Sequence, residues 1–233
     1  MDSIKLSPRL NAIAEMVIPG AMLTDVGTDH GYLPVRLLLD GRIKYAIATD
    51  IRPGPLSKAQ KNALENGVDL RCVLCDGLKD VLESETDTIV IAGMGGENIA
   101  GILERALWTR NGKTLLLQPM SRPEQLRRFL ADKGYCIMEE KLVKDNGKIY
   151  SILCAQGGGE KRYSDAEYYT GHYEMICDDP LFTEFILDTE VRFSSVIEGL
   201  SRTKKEELSN RRQAMQRILT QLKEMRERHD KSH

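Results

Sequence analysis

The sequence has no long hydrophobic run. Its first ten residues contain no apolar segment of the kind found in secretory signals, and no stretch approaches the roughly 18 apolar residues that a membrane-spanning helix needs. These absences predict a cytoplasmic protein without a membrane span. At 233 residues and 41% hydrophobic composition, the chain can bury one sizeable core and a small additional unit.

Cysteines are few, and their number is odd. Of the five, only Cys72 and Cys75 have a spacing that resembles a metal site. A zinc site would need a second such pair, and a strand through "LRCVLC" directs these two thiols to opposite faces. We therefore expect reduced thiols and no metal site.

Two common nucleotide-binding motifs are also absent. The loop after the first predicted strand, "DVGTDHGYLP", has the spacing G-x-x-x-G rather than G-x-G-x-x-G, and no G-x-x-x-x-G-K-[ST] segment occurs. The usual backbone cradles for the pyrophosphate of NAD and for nucleoside triphosphates are therefore missing. In the loop after the first predicted strand, Asp29 and His30 lie between the two glycines, Gly27 and Gly31.

Charge is unevenly distributed along the chain. The net charge is −2, yet residues 201–233 contain ten Lys and Arg against five Asp and Glu. A basic tail on an acidic body suggests a polyanionic partner, although the same composition is typical of the solvated face of a long helix. Both interpretations stay open at this point.

Strand and helix patterns alternate as far as residue 156. Five apolar segments predict strands linked by helices, and two further strands are joined by the hairpin dipeptide Asn146-Gly147. We predict Pro55 at the start and Gly67 after the end of the helix that follows the second strand, and a capping box of Ser121 and Glu124 before the helix that follows the fifth. The strand segments are AMLTDV, KYAIATD, DLRCVLCDG, DTIVIAGMGG, KTLLLQPM, YCIMEEKLVKD and KIYSILCAQ.

This order predicts an α/β fold: a Rossmann-like, seven-stranded sheet of the class I methyltransferase type, mostly parallel, with its last strand inserted antiparallel. A "GGG" segment at 157–159 marks the predicted boundary between a domain of residues 1–156 and a helical domain of residues 157–233. In the second domain we predict an antiparallel coiled-coil hairpin. Its first helix is capped by Asp179 and its second by Thr203 and Glu206. The predicted apolar stripe of the first helix is Phe182, Ile186, Thr189, Phe193, Val196 and Leu200.

Acidic residues recur where the predicted strands end, which is where ligands bind in open α/β sheets. Asp50, at the end of the second strand, is placed to accept hydrogen bonds from two ribose hydroxyls. Such a set of carboxylates would repel a diphosphate and suits a cationic cofactor such as S-adenosylmethionine. The acids concerned are Asp25, Asp29, Asp50 and Asp76.

Several motifs together resemble a known family. "LSPRL", "DVGTDHGYLPV", "TDI", "CDGL", "IAGMGG", "QPM" and the helical hairpin are similar, from end to end, to the TrmK family of bacterial tRNA (adenine-N1)-methyltransferases. The resemblance implies methylation of the N1 atom of adenine at position twenty-two of tRNA, with S-adenosylmethionine as methyl donor. No motif in the sequence itself indicates that position.

The resemblance also implies roles for particular residues. Asp25, Gly27 and Gly31 would shape the methionine end of the cofactor pocket, and Arg9 would contact the methionine carboxylate or a tRNA phosphate. The remaining cofactor residues would hold the ribose, adenine and neighbouring backbone, and they are Asp50, Ile51, Asp76, Gly77, Gly93 and Met94.

Asp29 and His30 are the candidate catalytic residues. Methyl transfer leaves the adenine ring cationic, so a carboxylate from Asp29 beside the ring would favour the charge that develops in the transition state. The alternative is that Asp29 only binds the ammonium group of the cofactor. His30 would contact the target base or a phosphate, or assist later proton loss, and a purely structural role is equally open.

The glycine segment "GMGG" stands where many amino-group methyltransferases carry an Asn/Asp-Pro-Pro-aromatic motif. A ring nitrogen has a localised lone pair and needs no carbonyl acceptors to direct it, whereas a glycine loop leaves room for a flipped purine. The residues expected at the target base are Tyr32, Gly95, Gly96, Gln118 and Pro119.

Basic residues of the helical hairpin are the candidate contacts to the tRNA backbone. Two alternatives stay open besides the tRNA methyltransferase: a methyltransferase of the same fold acting on another RNA or on a protein, and a non-catalytic module that binds a partner through its coiled coil. We expect a monomer. The candidate phosphate contacts are Arg202, Lys204, Lys205, Arg211 and Arg212.

Overall fold

A computed structural model describes residues 4–159, 162–201 and 206–232. These residues contain a seven-stranded sheet with the strand order β3-β2-β1-β4-β5-β7-β6. The order confirms the predicted class I methyltransferase sheet. The strands are β1 (Met22–Val26), β2 (Tyr45–Asp50), β3 (Arg71–Leu74), β4 (Thr88–Gly95), β5 (Thr114–Ser121), β6 (Tyr135–Asp145) and β7 (Lys148–Gly157).

The direction of each strand follows from its connection. β1 to β5 run parallel, and the connections between them are crossovers rather than tight turns. The tight turn at Asn146 and Gly147, both with positive φ, makes β6 and β7 antiparallel, and β7 enters the sheet beside β5. All five parallel strands therefore end at one edge of the sheet, which we call the carboxyl edge.

Helices cover both faces of the sheet and enclose two apolar clusters. Along β5, Leu116 contributes to one cluster, whereas Leu115 and Leu117 contribute to the other. This alternation is the side-chain period of a strand that is buried on both faces. The helices are α1 (Pro8–Met16), α2 (Tyr32–Leu39), α3 (Pro53–Glu65), α4 (Gly96–Glu104), α5 (Pro123–Asp132), α6 (Asp165–Thr170), α7 (Tyr173–Ile176), α8 (Phe182–Ser201) and α9 (Glu206–Ser232).

Two predicted helix starts are wrong in detail. α3 begins two residues earlier than expected, with Pro53 rather than Pro55 at its first position. The capping box at α5 does not form, because Ser121 is still part of β5 and Arg122 occupies the N-cap position with φ 55°. Pro123, whose missing N–H costs nothing at the first helical position, starts the helix instead.

The C-terminal helices α8 and α9 pack against each other around a third apolar cluster drawn from residues 166–222. Phe182, Ile186 and Phe193 are buried as predicted, but Val196 is 40% exposed and Ile197 packs in its place. Asp179 does not cap α8, which begins at Phe182; its carboxylate accepts from the backbone N–H of Leu142 and Leu181 instead. Thr203 of the second predicted cap lies outside the described residues.

A buried ion pair connects the sheet to the C-terminal segment. Arg127 of α5 donates to both carboxylate oxygens of Glu140 in β6, and both side chains are fully buried. Arg127 also donates to the carbonyl oxygen of Tyr168 in α6.

The predicted domain boundary at residue 157 stays a prediction. Within the described ranges, no helix is long and apolar enough to cross a membrane.

Candidate active site

A cavity of about 830 Å³ opens at the carboxyl edge, between the ends of β1, β2 and β4. It is lined by most of the residues that the sequence analysis predicted to be catalytic or to bind the cofactor. Its lining includes both candidate catalytic residues, Tyr32, and nine of the ten predicted cofactor residues. Those nine are Arg9, Asp25, Gly27, Asp50, Ile51, Asp76, Gly77, Gly93 and Met94.

The two glycines of the first loop have different roles. Gly27 has φ 72°, and a Cβ atom there would overlap the Met94 side chain, so the missing side chain lets β4's end approach the loop. Gly31, with φ 68°, is the predicted cofactor residue that does not line the cavity. A Cβ atom on Gly31 would lie 2.9 Å from the Cβ of Ala59, so this glycine lets α2 pack closely on α3.

Asp50 lies at the end of β2 and is almost completely buried. Its Oδ1 accepts a hydrogen bond from the backbone N–H of Arg52 at 2.8 Å, whereas Oδ2 accepts none from the residues that the structure describes. The carboxylate is therefore fixed in orientation and retains acceptor capacity at the cavity.

Asp25 is also buried and lies on the neighbouring strand β1. Burial raises the pKa of its carboxyl group to about 6, and the nearby charge of Asp50 contributes in the same direction. Near neutral pH, burial and the charge of Asp50 disfavour the ionised form of this carboxyl group. A cationic ligand would stabilise that form.

The other two acids are accessible to solvent. The side chain of Asp29 is 79% exposed, and its Oδ1 lies 3.6 Å from Nε2 of His30. The His30 ring stacks on Tyr32 with ring centres 5.1 Å apart. Asp76 pairs with Arg105 of the segment after α4, at 3.0 Å. The cavity mouth therefore presents a carboxylate, an imidazole and a phenol side by side.

Arg9 enters this cavity from α1 and is held by a network that the sequence did not indicate. Its Nε donates to the buried Asp145 at 2.7 Å, and its Nη1 donates to Oε1 of Gln118 at 2.8 Å. The same Gln118 oxygen accepts from the backbone N–H of Gly93. The network thus connects α1, β5 and β6 to the last part of β4. Asp145 was missed because its only sequence signal was its place before the hairpin turn.

Other predicted contacts to the target base lie elsewhere. Gln118 is fully buried and reaches the cavity only through Arg9 and Gly93. Gly95 and Gly96 do not line the cavity, and Pro119 lines a second one. A Cβ atom on Gly96 would overlap the backbone carbonyl of Arg122, so this position is constrained by packing between the ends of β4 and β5.

We expect Gly96→Ala to lower the free energy of unfolding by about 1–3 kcal/mol, because the added methyl group forces a rigid backbone segment to move. Chemical denaturation measures this change. Gly199→Ala is the matched control: Gly199 lies in α8 with open space around it, and alanine there should stabilise the helix by about 0.5–1 kcal/mol. Equal stability of Gly96→Ala and the unmodified protein would contradict the packing role.

The structure describes only two of the five basic residues of the helical hairpin that were predicted to contact tRNA, which we call the hairpin cations. Arg202, Lys204 and Lys205 lie outside the described residues. Arg211 and Arg212 are exposed on α9, and Arg211 lines the second cavity. Arg52, Glu97, Asn98 and Arg105 line the first cavity without having been predicted. Arg52 immediately precedes α3, Glu97 and Asn98 lie in the first turn of α4, and Arg105 follows its end. No short motif marks these positions.

Comparison with known proteins places this architecture in a family. The methyltransferase-domain family matches residues 6–153. The Bacillus subtilis tRNA (adenine(22)-N(1))-methyltransferase is 37% identical over 161 residues, which are 68% of each chain. The chain belongs to the TrmK family of tRNA (adenine-N1)-methyltransferases.

The similarity to solved structures covers nearly the whole chain and so includes the helices that follow the sheet. Bacillus subtilis TrmK is 28% identical, with a TM-score of 0.86 over 96% of this chain and 99% of that one. A Streptococcus pneumoniae methyltransferase in complex with S-adenosyl-L-methionine is 33% identical, with a TM-score of 0.79 over 92% of this chain and 100% of that one. Membership of the TrmK family confirms the resemblance drawn from the sequence motifs.

Proposed function

We propose that this protein is a cytoplasmic enzyme that transfers a methyl group from S-adenosylmethionine to the N1 atom of adenine 22 in tRNA. The observation that carries the proposal is the cavity at the carboxyl edge, where four aspartates surround one space in a member of the TrmK family. The named relatives are tRNA methyltransferases, and a 33% identical neighbour binds S-adenosyl-L-methionine. We expect the enzyme to act as a monomer.

The residues of the cavity fit this cofactor. Asp50, with a free acceptor oxygen beside a backbone-anchored one, suits the ribose hydroxyls. Asp25 suits the cationic methionine end, because a positive charge would favour its ionised form. Asp76 and Gly77 follow β3 and would meet the adenine, with the Asp76 carboxylate accepting from the exocyclic amine and Ile51 flanking the ring.

When bound, S-adenosylmethionine supplies an electrophilic methyl group, whose bond to sulfur breaks as the adenine N1 lone pair forms the new bond. The ring thereby gains a positive charge. The Asp29 carboxylate at the cavity mouth would stabilise that charge and accept from the exocyclic amine of the target. His30 and Tyr32, already stacked on each other, would contact the flipped base.

We assign the reaction to residues 1–156 and the backbone contacts of the hairpin cations with tRNA to residues 157–233. The direct test is transfer of labelled methyl from S-adenosylmethionine to unmodified tRNA, followed by nucleoside mass spectrometry. We expect 1-methyladenosine as the product. Cofactor binding with no transfer to any tRNA would instead favour a protein or another RNA as substrate.

The pKa of Asp25 gives this proposal a pH dependence. A cationic ligand lowers a carboxyl pKa, so the complex holds fewer protons than the free protein below about pH 6. S-adenosylmethionine affinity should therefore increase as the pH rises towards 6 and level off above it, by at most about tenfold per pH unit. Isothermal titration calorimetry between pH 5 and 7.5 measures this change.

Asp25→Asn is the control, because the amide cannot titrate. The variant should show a flat affinity profile over the same range, whatever its absolute affinity. A slope identical to that of the unmodified protein would contradict the assignment of the pH dependence to Asp25.

A further inference from the structure

A second cavity, of about 670 Å³, lies between the end of β5 and the helical hairpin. Five parts of the chain form it: the segment from β5 into α5, the start of β7, α6, α8 and α9. None of the described residues lines both this cavity and the first one. It is therefore a separate space, which we call the hairpin cavity.

The hairpin cavity is lined by unpaired cations. Lys148 of β7, Arg192 of α8 and Arg211 of α9 have no acidic group within 4.0 Å among the described residues. Arg192 has one weak contact, to the hydroxyl of Thr189 in its own helix. Most arginines elsewhere in the described chain are paired with a carboxylate, as Arg127 is with Glu140. Three cations from three elements line one cavity without an acidic partner among the described residues, which points to an anionic ligand.

The other charged residues of the lining do not cancel this excess. Arg122 lies 3.9 Å from Glu124, and both line the cavity together with Asp188. Among the described lining residues, four cations thus face two acids. Because the acids are fewer and Lys148, Arg192 and Arg211 are free of them, the cavity favours a phosphate over a neutral or cationic ligand.

Aromatic rings complete the lining. Tyr150 of β7 and Tyr169 of α6 are half-buried, and Phe185 and Phe193 of α8 are buried beneath them. Rings beside phosphate-binding cations are the combination that proteins use for single-stranded nucleotides, because every base has a face that can stack. The combination is less suited to inorganic phosphate, which has no apolar part to cover the rings.

Arg9 forms the wall between the two cavities. It lines the first cavity, and its guanidinium lies 5.2 Å from the centre of the Tyr150 ring. Its Nη1 is also 3.0 Å from the sulfur of Met120, which, like Tyr150, lines the hairpin cavity. A polynucleotide with one base in the first cavity would therefore place a neighbouring nucleotide across Arg9 in the second.

We propose that the hairpin cavity binds a tRNA nucleotide that neighbours the methylated adenine. Lys148, Arg192 and Arg211 hold its phosphate, and Tyr150 contacts its base. The inference rests on the proposed function and adds to it a second binding site for the same substrate. It also assigns a role to α8, in which the sequence indicated only core residues.

The test is the salt dependence of tRNA binding by the variant Arg192→Ala with Arg211→Ala. Fluorescence anisotropy of labelled, unmodified tRNA between 50 and 200 mM salt, a range of about fourfold, gives the slope of log K against log salt. We expect the slope to fall in magnitude by about 1 for each phosphate that the variant no longer neutralises, and affinity at the lower salt to drop about tenfold or more. Tyr150→Leu should lower affinity about tenfold without changing the slope.

Lys44→Ala is the matched control. Lys44 is exposed and precedes β2, at the edge of the sheet opposite both cavities, so its removal should leave slope and affinity unchanged. The double arginine variant and Lys44→Ala should bind S-adenosylmethionine as the unmodified protein does, which verifies their folding. An unchanged slope in the double arginine variant would overturn the hairpin-cavity proposal. Failure of the unmodified protein to bind tRNA would instead overturn the proposed function.

Discussion

Asp50→Asn is expected to lower S-adenosylmethionine affinity about 100-fold. A carboxylate can accept hydrogen bonds from both ribose hydroxyls, whereas an amide offers one acceptor oxygen and one donor group that cannot replace the other acceptor. A hydrogen bond to a charged group contributes about 1.5–3 kcal/mol, and 100-fold corresponds to about 2.7 kcal/mol. Isothermal titration calorimetry at pH 7.5, where Asp25 is ionised, measures the loss directly.

Asn is chosen because it preserves the local backbone. Its amide oxygen can still accept from the N–H of Arg52, so the turn after β2 should keep its shape. Asp69→Asn is the matched control, since Asp69 is exposed just before β3, at the opposite edge of the sheet. A change of less than about threefold in Asp50→Asn would show that this carboxylate does not hold the ribose.

Asp29→Asn is expected to lower kcat by about 100-fold or more while leaving the cofactor dissociation constant within twofold. The substitution preserves size but removes the charge that would stabilise the cationic ring, and loss of one preorganised group of this kind costs about 10²–10³ in kcat. The 79% exposure of the side chain supports a position at the mouth, where the target base enters, rather than against the buried cofactor site. Single-turnover kinetics at saturating tRNA and cofactor separate this effect from binding.

The alternative role for Asp29 makes the opposite prediction. If the carboxylate binds the ammonium group of the cofactor, Asp29→Asn should weaken cofactor binding in proportion to the loss of activity. Asp40→Asn serves as the control, because Asp40 is an exposed acid at the end of α2 that pairs with Arg36 outside the cavity. A proportional loss in Asp29→Asn would overturn the catalytic assignment.

The sequence was sufficient to predict the sheet and most of the first cavity. Asp25, Asp50 and Asp76 each belong to or directly follow a strand, and the parallel order brings all such positions to one edge. The sequence pattern at each strand end was therefore enough to predict that these residues lie together, even though they are far apart in the chain.

Features that depend on tertiary packing could not be predicted in this way. Gly96 has the signature of a ligand-binding glycine, yet its constraint comes from the carbonyl of Arg122, a residue on a different element. The capping box failed for a related reason: β5 extends through Ser121 to pair with β4, which removes that residue from the helix start. The hairpin cavity combines five separate segments, and none of them carries a motif of its own.

Methyl transfer to one defined adenine of tRNA is the reaction on which the other predictions depend. The measurement that tests it most directly compares labelled methyl incorporation into an unmodified tRNA and into the same tRNA with adenine 22 replaced by guanine, with the modified nucleotide located by mass spectrometry of the digested RNA. We expect 1-methyladenosine at position 22 and loss of incorporation in the substituted tRNA. Equal incorporation into both, or a methyl group on another nucleotide, would contradict it.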